Sequence, residues 1–250
     1  MAIIDIIHDT ILEAASINDD ATLVDLRIGH YWSVVQASTG AGMASTIPSE
    51  SHLHGTVPIP DAGSLHESSM IELAARLRSS STPEAALGLA AANALLGPPE
   101  GRLTEHNAET ILYQRGAGRR VAMIGRFPFA ERTAAVCGEL WVFERGEGRG
   151  EDDFGAEMMA ELLPQAEVVA ITSTAVINRT LGEILELVRP DAFVLLLGPS
   201  TPLTPRLFNH GIDLLCGTII VDPPAVLRAV GQGAVTSQIG GVRRVCLWPE

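Results

Sequence analysis

Between residues 121 and 231 the chain alternates short apolar runs with helical patterns, and no other feature restricts its fold as tightly. VAMIG at 121–125, ELWVFE at 139–144, EVVAIT at 167–172, AFVLLL at 192–197 and the run at 214–221 read as strands. The stretches 154–163, 179–188, 204–210 and 223–231 read as helices between and after them. Strand, helix, strand in continuous alternation implies right-handed crossovers and a parallel sheet. Such a sheet is covered on both faces, and the composition suits it: 46% of residues are apolar, mostly aliphatic, with 4% aromatic.

The N-terminal part has a different pattern. MAIIDIIHDTILEAA sets Asp5, His8, Asp9 and Glu13 among isoleucines as an amphipathic helix does, not as a signal peptide does. TLVDLRI and YWSVVQAS flank Gly29-His30, a two-residue connection that predicts a hairpin, and STGAGMASTIP follows as a glycine-rich loop. Residues 64–78 place Met70, Leu73, Ala74 and Leu77 at helical spacing. A second helix is expected over SSTPEAALGLAAANALL, with Ser81 and Glu84 as a capping box, Pro83 in the first turn and Gly97 as its stop. The composition changes near RGAGRR at 115–120, which reads as a linker. Two domains are therefore expected: a smaller α+β unit over 1–115 and an α/β unit over 116–250.

Charge and residue usage exclude several classes. A formal net charge of -13 argues against a surface built to neutralise phosphates, so nucleic acid is not an expected partner. All 17 basic residues are arginine, which rules out a Walker A lysine, a Schiff-base lysine and a lysine general base. Cys137, Cys216 and Cys246 form no CxxC pair and leave one over, a usage that suits a reducing cytoplasm better than a disulfide scaffold. The longest apolar stretch, around LGLAAANALL, is too short to span a bilayer, so no membrane association is expected. An accessory or homo-oligomeric role without turnover is compatible with the acidic surface.

Open α/β sheets bind ligands outside the carboxyl ends of their strands, and three unusual turns fall on that edge. GRFPF at 125–129 brackets Pro128 with Phe127 and Phe129, which offers a ring face to a flat ligand or else plugs a contact between domains. TSTAVINRT at 172–180 brings Thr172, Asn178 and Thr180 to the start of a helix, where Asn178 or Thr180 acts as cap or as ligand contact. GPSTP at 198–202 holds Ser200 and Thr201 on a backbone stiffened by Pro199 and Pro202. That turn is either a ligand-binding surface or a tight entry to the helix capped by Thr204. Glu144 ends the second strand, where dinucleotide folds place an acid on a ribose. GxGxxG is missing, however, and Gly116 and Gly118 precede the first strand, so NAD or FAD bound in the standard manner is disfavoured. His52 and His54, two apart beside Glu50, are the candidate metal ligands, although HExxH and paired CxxC spacings are absent.

With these residues in view, the chain resembles the “Putative heavy-metal chelation” family, a group of unknown function. The likeness rests on RIGHYWSVVQAS, GAGMAST and GLAAANALL in the first half. In the second it rests on VAMIGRFPF, LLP at 162–164, ITSTAVINRTL, LLLGPSTPLTPRLFNHGIDLLCGT and the final helix. The resemblance implies an enolase N-terminal-like α+β domain followed by a Rossmann-like α/β domain. It also implies a small ligand, such as a flat heterocycle, in an interdomain cleft. Carried over by position, that cleft draws on Phe127, Pro128, Glu144, Thr172, Asn178, Thr180, Gly198, Pro199, Ser200 and Thr201. The family description implies a divalent or heavy-metal ion as the alternative ligand. No motif marks a nucleophile or general base, and the enolase-like domain carries no enolase chemistry, because fold is not function.

Overall fold

The structure is a computed structural model that describes residues 3–18, 20–48, 57–97, 99, 101–144, 150 and 153–250. Its N-terminal part is built on helix α1 (Ile3–Ala15) and an antiparallel sheet of β1 (Leu23–Ile28), β2 (Trp32–Ala37) and β3 (Ala41–Ser45), in that order. Helices α2 (Met70–Ala75) and α3 (Thr82–Leu96) follow. The stretch expected as a glycine-rich loop is thus the third strand. Gly42 is what permits it, since a Cβ there would collide with the backbone of Ala90 and Ala94 in α3. The alanines of α3 complete this close approach, and Ala90, Ala91 and Ala94 are almost fully buried.

Other local expectations are also revised. Gly29 N–H donates to the Trp32 carbonyl at 2.8 Å, so the hairpin turns on His30-Tyr31, one residue later than expected. The capping box of α3 does not form. Ser81 instead donates its hydroxyl to the Pro58 carbonyl, and Glu84 accepts from Arg76 Nη1 at 2.9 Å and Ser79 Oγ at 2.6 Å. A capping box does occur one helix earlier, between Ser69 and Glu72 at the start of α2.

The large sheet takes up the rest of the chain. In chain order its layers are β4 (Leu103–Thr104), α4 (Ala108–Gly116), β5 (Arg120–Ile124), α5 (Ala130–Ala134), β6 (Glu139–Phe143), α6 (Met159–Leu162) and β7 (Val168–Thr172). Then come α7 (Thr174–Ile177), α8 (Leu181–Leu187), β8 (Phe193–Leu197), a 3-10 helix at Pro205–His210, β9 (Leu214–Ile220), α9 (Pro223–Gly231) and β10 (Val242–Leu247). The strand order is β4-β10-β9-β8-β7-β5-β6, with β5 to β9 parallel and β10 antiparallel to both β9 and β4. RGAGRR forms the turn from α4 into β5, with Gly118 at φ 67°.

The central strands are apolar on both faces for a visible reason. Val169, Ile171, Val194, Leu196 and Leu215 join a core that reaches Ile11, Val35 and Leu89 of the N-terminal part. Val168, Ala170, Leu195, Leu197 and Leu214 pack on the opposite side with Leu112 and Met123. One continuous hydrophobic cluster therefore links the small sheet to the large one. The cysteine reading is corrected here. Cys216 and Cys246 sit opposite each other on β9 and β10, Cα atoms 4.2 Å apart, and form a disulfide, which a separation of 30 residues does not reveal. Among the described residues, no helix is long and apolar enough to cross a membrane.

Candidate functional site

Counting only the parallel strands in chain order, the sheet reads 2-1-3-4-5, and the order reverses between β5 and β7. Crossovers on either side of that point leave toward opposite faces, so a crevice opens at the carboxyl ends. A hollow of ≈ 250 Å³ lies there. Phe127 reaches it from the turn after β5, Glu144 from the end of β6, and Thr172, Asn178 and Thr180 from the end of β7. Ile124, Phe143 and Ile184 supply its apolar wall. Five of the residues expected at the site are thus brought together, and all described lining residues fall between 124 and 184.

Each of the five is held by an identifiable contact. Phe127 stacks on Phe129, ring centroids 5.3 Å apart and planes 8° from parallel, and both pack against the core beneath α4 and α5. Glu144 Oε2 accepts the Arg126 backbone N–H at 2.7 Å, which ties the end of β6 to the turn after β5. Thr172 and Thr174 share a hydroxyl contact of 3.1 Å. Asn178 Oδ1 accepts from the Thr180 hydroxyl at 2.7 Å and from the Thr180 backbone N–H at 3.3 Å. A backbone N–H can only donate, so the amide oxygen must face Thr180, and Asn178 Nδ2 is left as the free donor of a residue lining the hollow. Thr180 is the N-cap of α8, but its side chain does not cap the helix, because it serves Asn178.

Three further features had not been expected from the sequence. Arg179, between Asn178 and Thr180, adopts φ 64°, a left-handed conformation rare for a residue with a Cβ. Its Nη1 donates to the Arg78 carbonyl at 2.6 Å, so the N-terminal part braces this rim. Arg126 is paired with Asp153 at 2.6 Å, and the Asp153 side chain is only 3% exposed. The run GEGRGEDD gave no sign of this, since clustered charge ordinarily marks a solvated face.

The other expected residues lie elsewhere. Pro128 is exposed and does not line the hollow. Gly198, with φ 138°, presses against Ser173 behind β7. Ser200 and Thr201 are 0% and 2% exposed. Ser200 Oγ accepts the Ser45 N–H at 2.8 Å, and Asn93 Nδ2 bridges the Met43 and Ser200 carbonyls at 3.1 and 3.0 Å. This turn therefore joins the small sheet and α3 to the large sheet. Pro199 lines a separate hollow beside Met43.

A metal would need a converging donor set. Among the described residues no three His, Cys, Asp or Glu come together. The switch-point hollow offers Glu144 and neutral oxygens, whereas soft ions select thiolate and imidazole. Cys137 is the free thiol among the described residues, and burial pushes its pKa up, away from the thiolate that would bind metal. The described residues do not fit direct chelation, and His52 and His54, with Glu50, lie outside them.

Comparison with known proteins agrees with this architecture. The family described as “Putative heavy-metal chelation” matches residues 107–248, and a second family of the same description matches residues 9–96. A protein of unknown function from the DUF364 family of Desulfitobacterium hafniense superposes with a TM-score of 0.81 at 25% identity, covering 98% of each chain. A DUF364 protein of unknown function from Pyrococcus horikoshii also gives 0.81 at 22% identity, covering 96% of this chain and 99% of its own, and shows the fold alone. No curated protein matches the chain.

Proposed function

This chain belongs to the “Putative heavy-metal chelation” family, and from that premise we propose that it binds a small planar molecule in the hollow where β5, β6 and β7 end. The observation that carries this reading is the convergence of an aromatic ring, a carboxylate, an oriented amide donor and threonine hydroxyls at the topological switch point. At ≈ 250 Å³ the hollow falls just below the roughly 300 Å³ at which drug-sized pockets begin, so a single ring system fits its scale and a dinucleotide does not. The cation at its rim, Arg126, is already neutralised by Asp153, which favours an uncharged ring over a phosphate. Thermal-shift screening against flat heterocycles tests this directly. Stabilisation of the wild type that disappears in Phe127→Ala and Asn178→Ala is expected, and variants that respond normally would remove the assignment.

The metal alternative rests on the family description and on His52 and His54. Elemental analysis of protein purified without a histidine tag distinguishes it: stoichiometric metal that is lost in the double variant H52A/H54A supports it, and substoichiometric metal indifferent to those changes ends it. We also take the boundary between the two units to lie at 97–102 instead of 115/116. β4 and α4 already belong to the large sheet's layers, and the two matched segments leave 97–106 between them, which contains that interval.

A further inference from the structure

A second hollow, of ≈ 370 Å³, lies where the small sheet meets the large one. Met43 of β3, Pro199 after β8 and Ile239 before β10 give it an apolar side. Thr218, Thr236, Ser237 and Arg244 give it a polar one. Thr218 and Arg244 are cross-strand partners on β9 and β10, so their side chains leave the same face of the sheet. Thr236 and Ser237 come from the 3-10 turn that follows α9. It shares no lining residue with the switch-point hollow.

The four polar side chains have one property in common: none makes a hydrogen bond or ion pair with another described residue. Most arginines here behave otherwise. Ten of them, including the neighbouring Arg243, have a carboxylate partner. Arg244 shares the lack of a carboxylate partner with Arg115, Arg119 and Arg228 among the described residues, but of these four it alone lines a hollow beside three unpartnered hydroxyls. No acidic residue lines the hollow to take it up. Guanidinium is the side chain best shaped for two parallel bonds to an oxyanion, and hydroxyls supply further donors. Apolar Met43, Pro199 and Ile239 opposite would cover a carbon skeleton.

We propose that this hollow binds a small organic anion, with its oxyanion group held by Arg244, Thr218, Thr236 and Ser237 and its carbon part lying on Met43, Pro199 and Ile239. The intact chain would be titrated calorimetrically at low ionic strength with inorganic phosphate, butyl phosphate and butyrate. Saturable one-to-one binding by at least one probe is expected, with a tailed probe tighter than inorganic phosphate. Whichever tailed probe binds better identifies the group as phosphate or carboxylate. Removing one charge-assisted bond predicts about ten- to a hundredfold weaker binding in Arg244→Gln. A smaller loss is expected in Thr236→Val, and none in Arg228→Gln, which removes a charge from α9 outside the hollow. Arg244 is exposed and without an internal partner, so its variant should keep the wild-type melting temperature. Absence of saturable binding would overturn the proposal, as would wild-type affinity in Arg244→Gln or equal losses in the two arginine variants.

Discussion

The turns after β5 and β8 begin alike and end in different surroundings. Each leaves a parallel strand through a glycine at positive φ, 88° at Gly125 and 138° at Gly198, and each glycine is pressed against the end of β7. Gly125 meets Thr172 and Gly198 meets Ser173. After that they diverge. In GRFPF, Arg126 and Pro128 are exposed and Phe127 borders a hollow, whereas in GPSTP, Ser200 and Thr201 are buried beneath β3 and α3. The hydroxyls of a stiff turn can serve a ligand or another part of the same chain, and only the neighbouring layer decides which. At β8 that layer is present: Ser45 takes up the Ser200 hydroxyl and Asn93 the Ser200 carbonyl, while Thr201 Oγ1 is buried without a hydrogen-bond partner among the described residues.

The sharpest way to break this contrast is to remove the joint at its most connected residue. Asn93→Leu deprives two part-buried carbonyls, Met43 and Ser200, of their shared donor. A loss of about 3 kcal/mol in unfolding free energy is expected, since each unsatisfied group costs about 1–3 kcal/mol. Ser200→Ala should cost less, about 1–2 kcal/mol, because it strands one N–H, that of Ser45. Urea melts measure both. If the Ser200 and Thr201 side of the GPSTP turn is a joint and not a surface for the heterocycle, neither variant changes which heterocycles stabilise the protein, once its lower starting stability is allowed for.

The turn after β5 should give the opposite result. Phe127 is half-buried and stacked on Phe129, so Phe127→Ala is expected to cost only about 1 kcal/mol of stability while abolishing the ligand-induced rise in melting temperature. A variant that loses several kcal/mol and keeps its ligand response would make Phe127 part of the core and reverse the assignment of the two turns.

Much of this arrangement was legible in the residues themselves. The five parallel strands announced themselves because burial on both faces demands unbroken apolar runs such as VVAI and FVLLL. β10 did not, because Arg243 and Arg244 occupy its exposed half and interrupt the run, and β4 is only two residues long. The third strand of the small sheet was hidden by its own glycines, which serve close packing against α3 and resemble loop chemistry in the sequence. For the site, the segments carrying Phe127, Glu144, Thr172, Asn178 and Thr180 were visible as odd turns at strand ends. Which turns share a hollow depends on strand order, and strand order arises from long-range packing that no local pattern encodes. The same limit hid the facing of Cys216 and Cys246.

The smallest expected effect probes the far end of the joint, where the stretch that begins with GPSTP finishes at His210. His210 Nε2 lies 2.9 Å from the Thr10 hydroxyl of α1, and burial lowers its pKa from the ordinary value of 6.5. A neutral ring accepts from the Thr10 hydroxyl or donates to it according to its tautomer, and an imidazolium can still donate, so it is burial of the charge that disfavours protonation in the folded chain. Because the folded value lies below the unfolded one, both states are neutral well above pH 6.5, and titration of His210 takes nothing from stability there. As pH falls through that value the unfolded chain takes up its proton first, so stability declines until the folded pKa is reached. Urea midpoints should therefore drop as pH is lowered from neutrality through this window, and His210→Gln should flatten part of that slope by removing the titrating group. An unchanged slope in the variant would mean that His210 does not set this pH dependence, and that other titrating groups carry the decline.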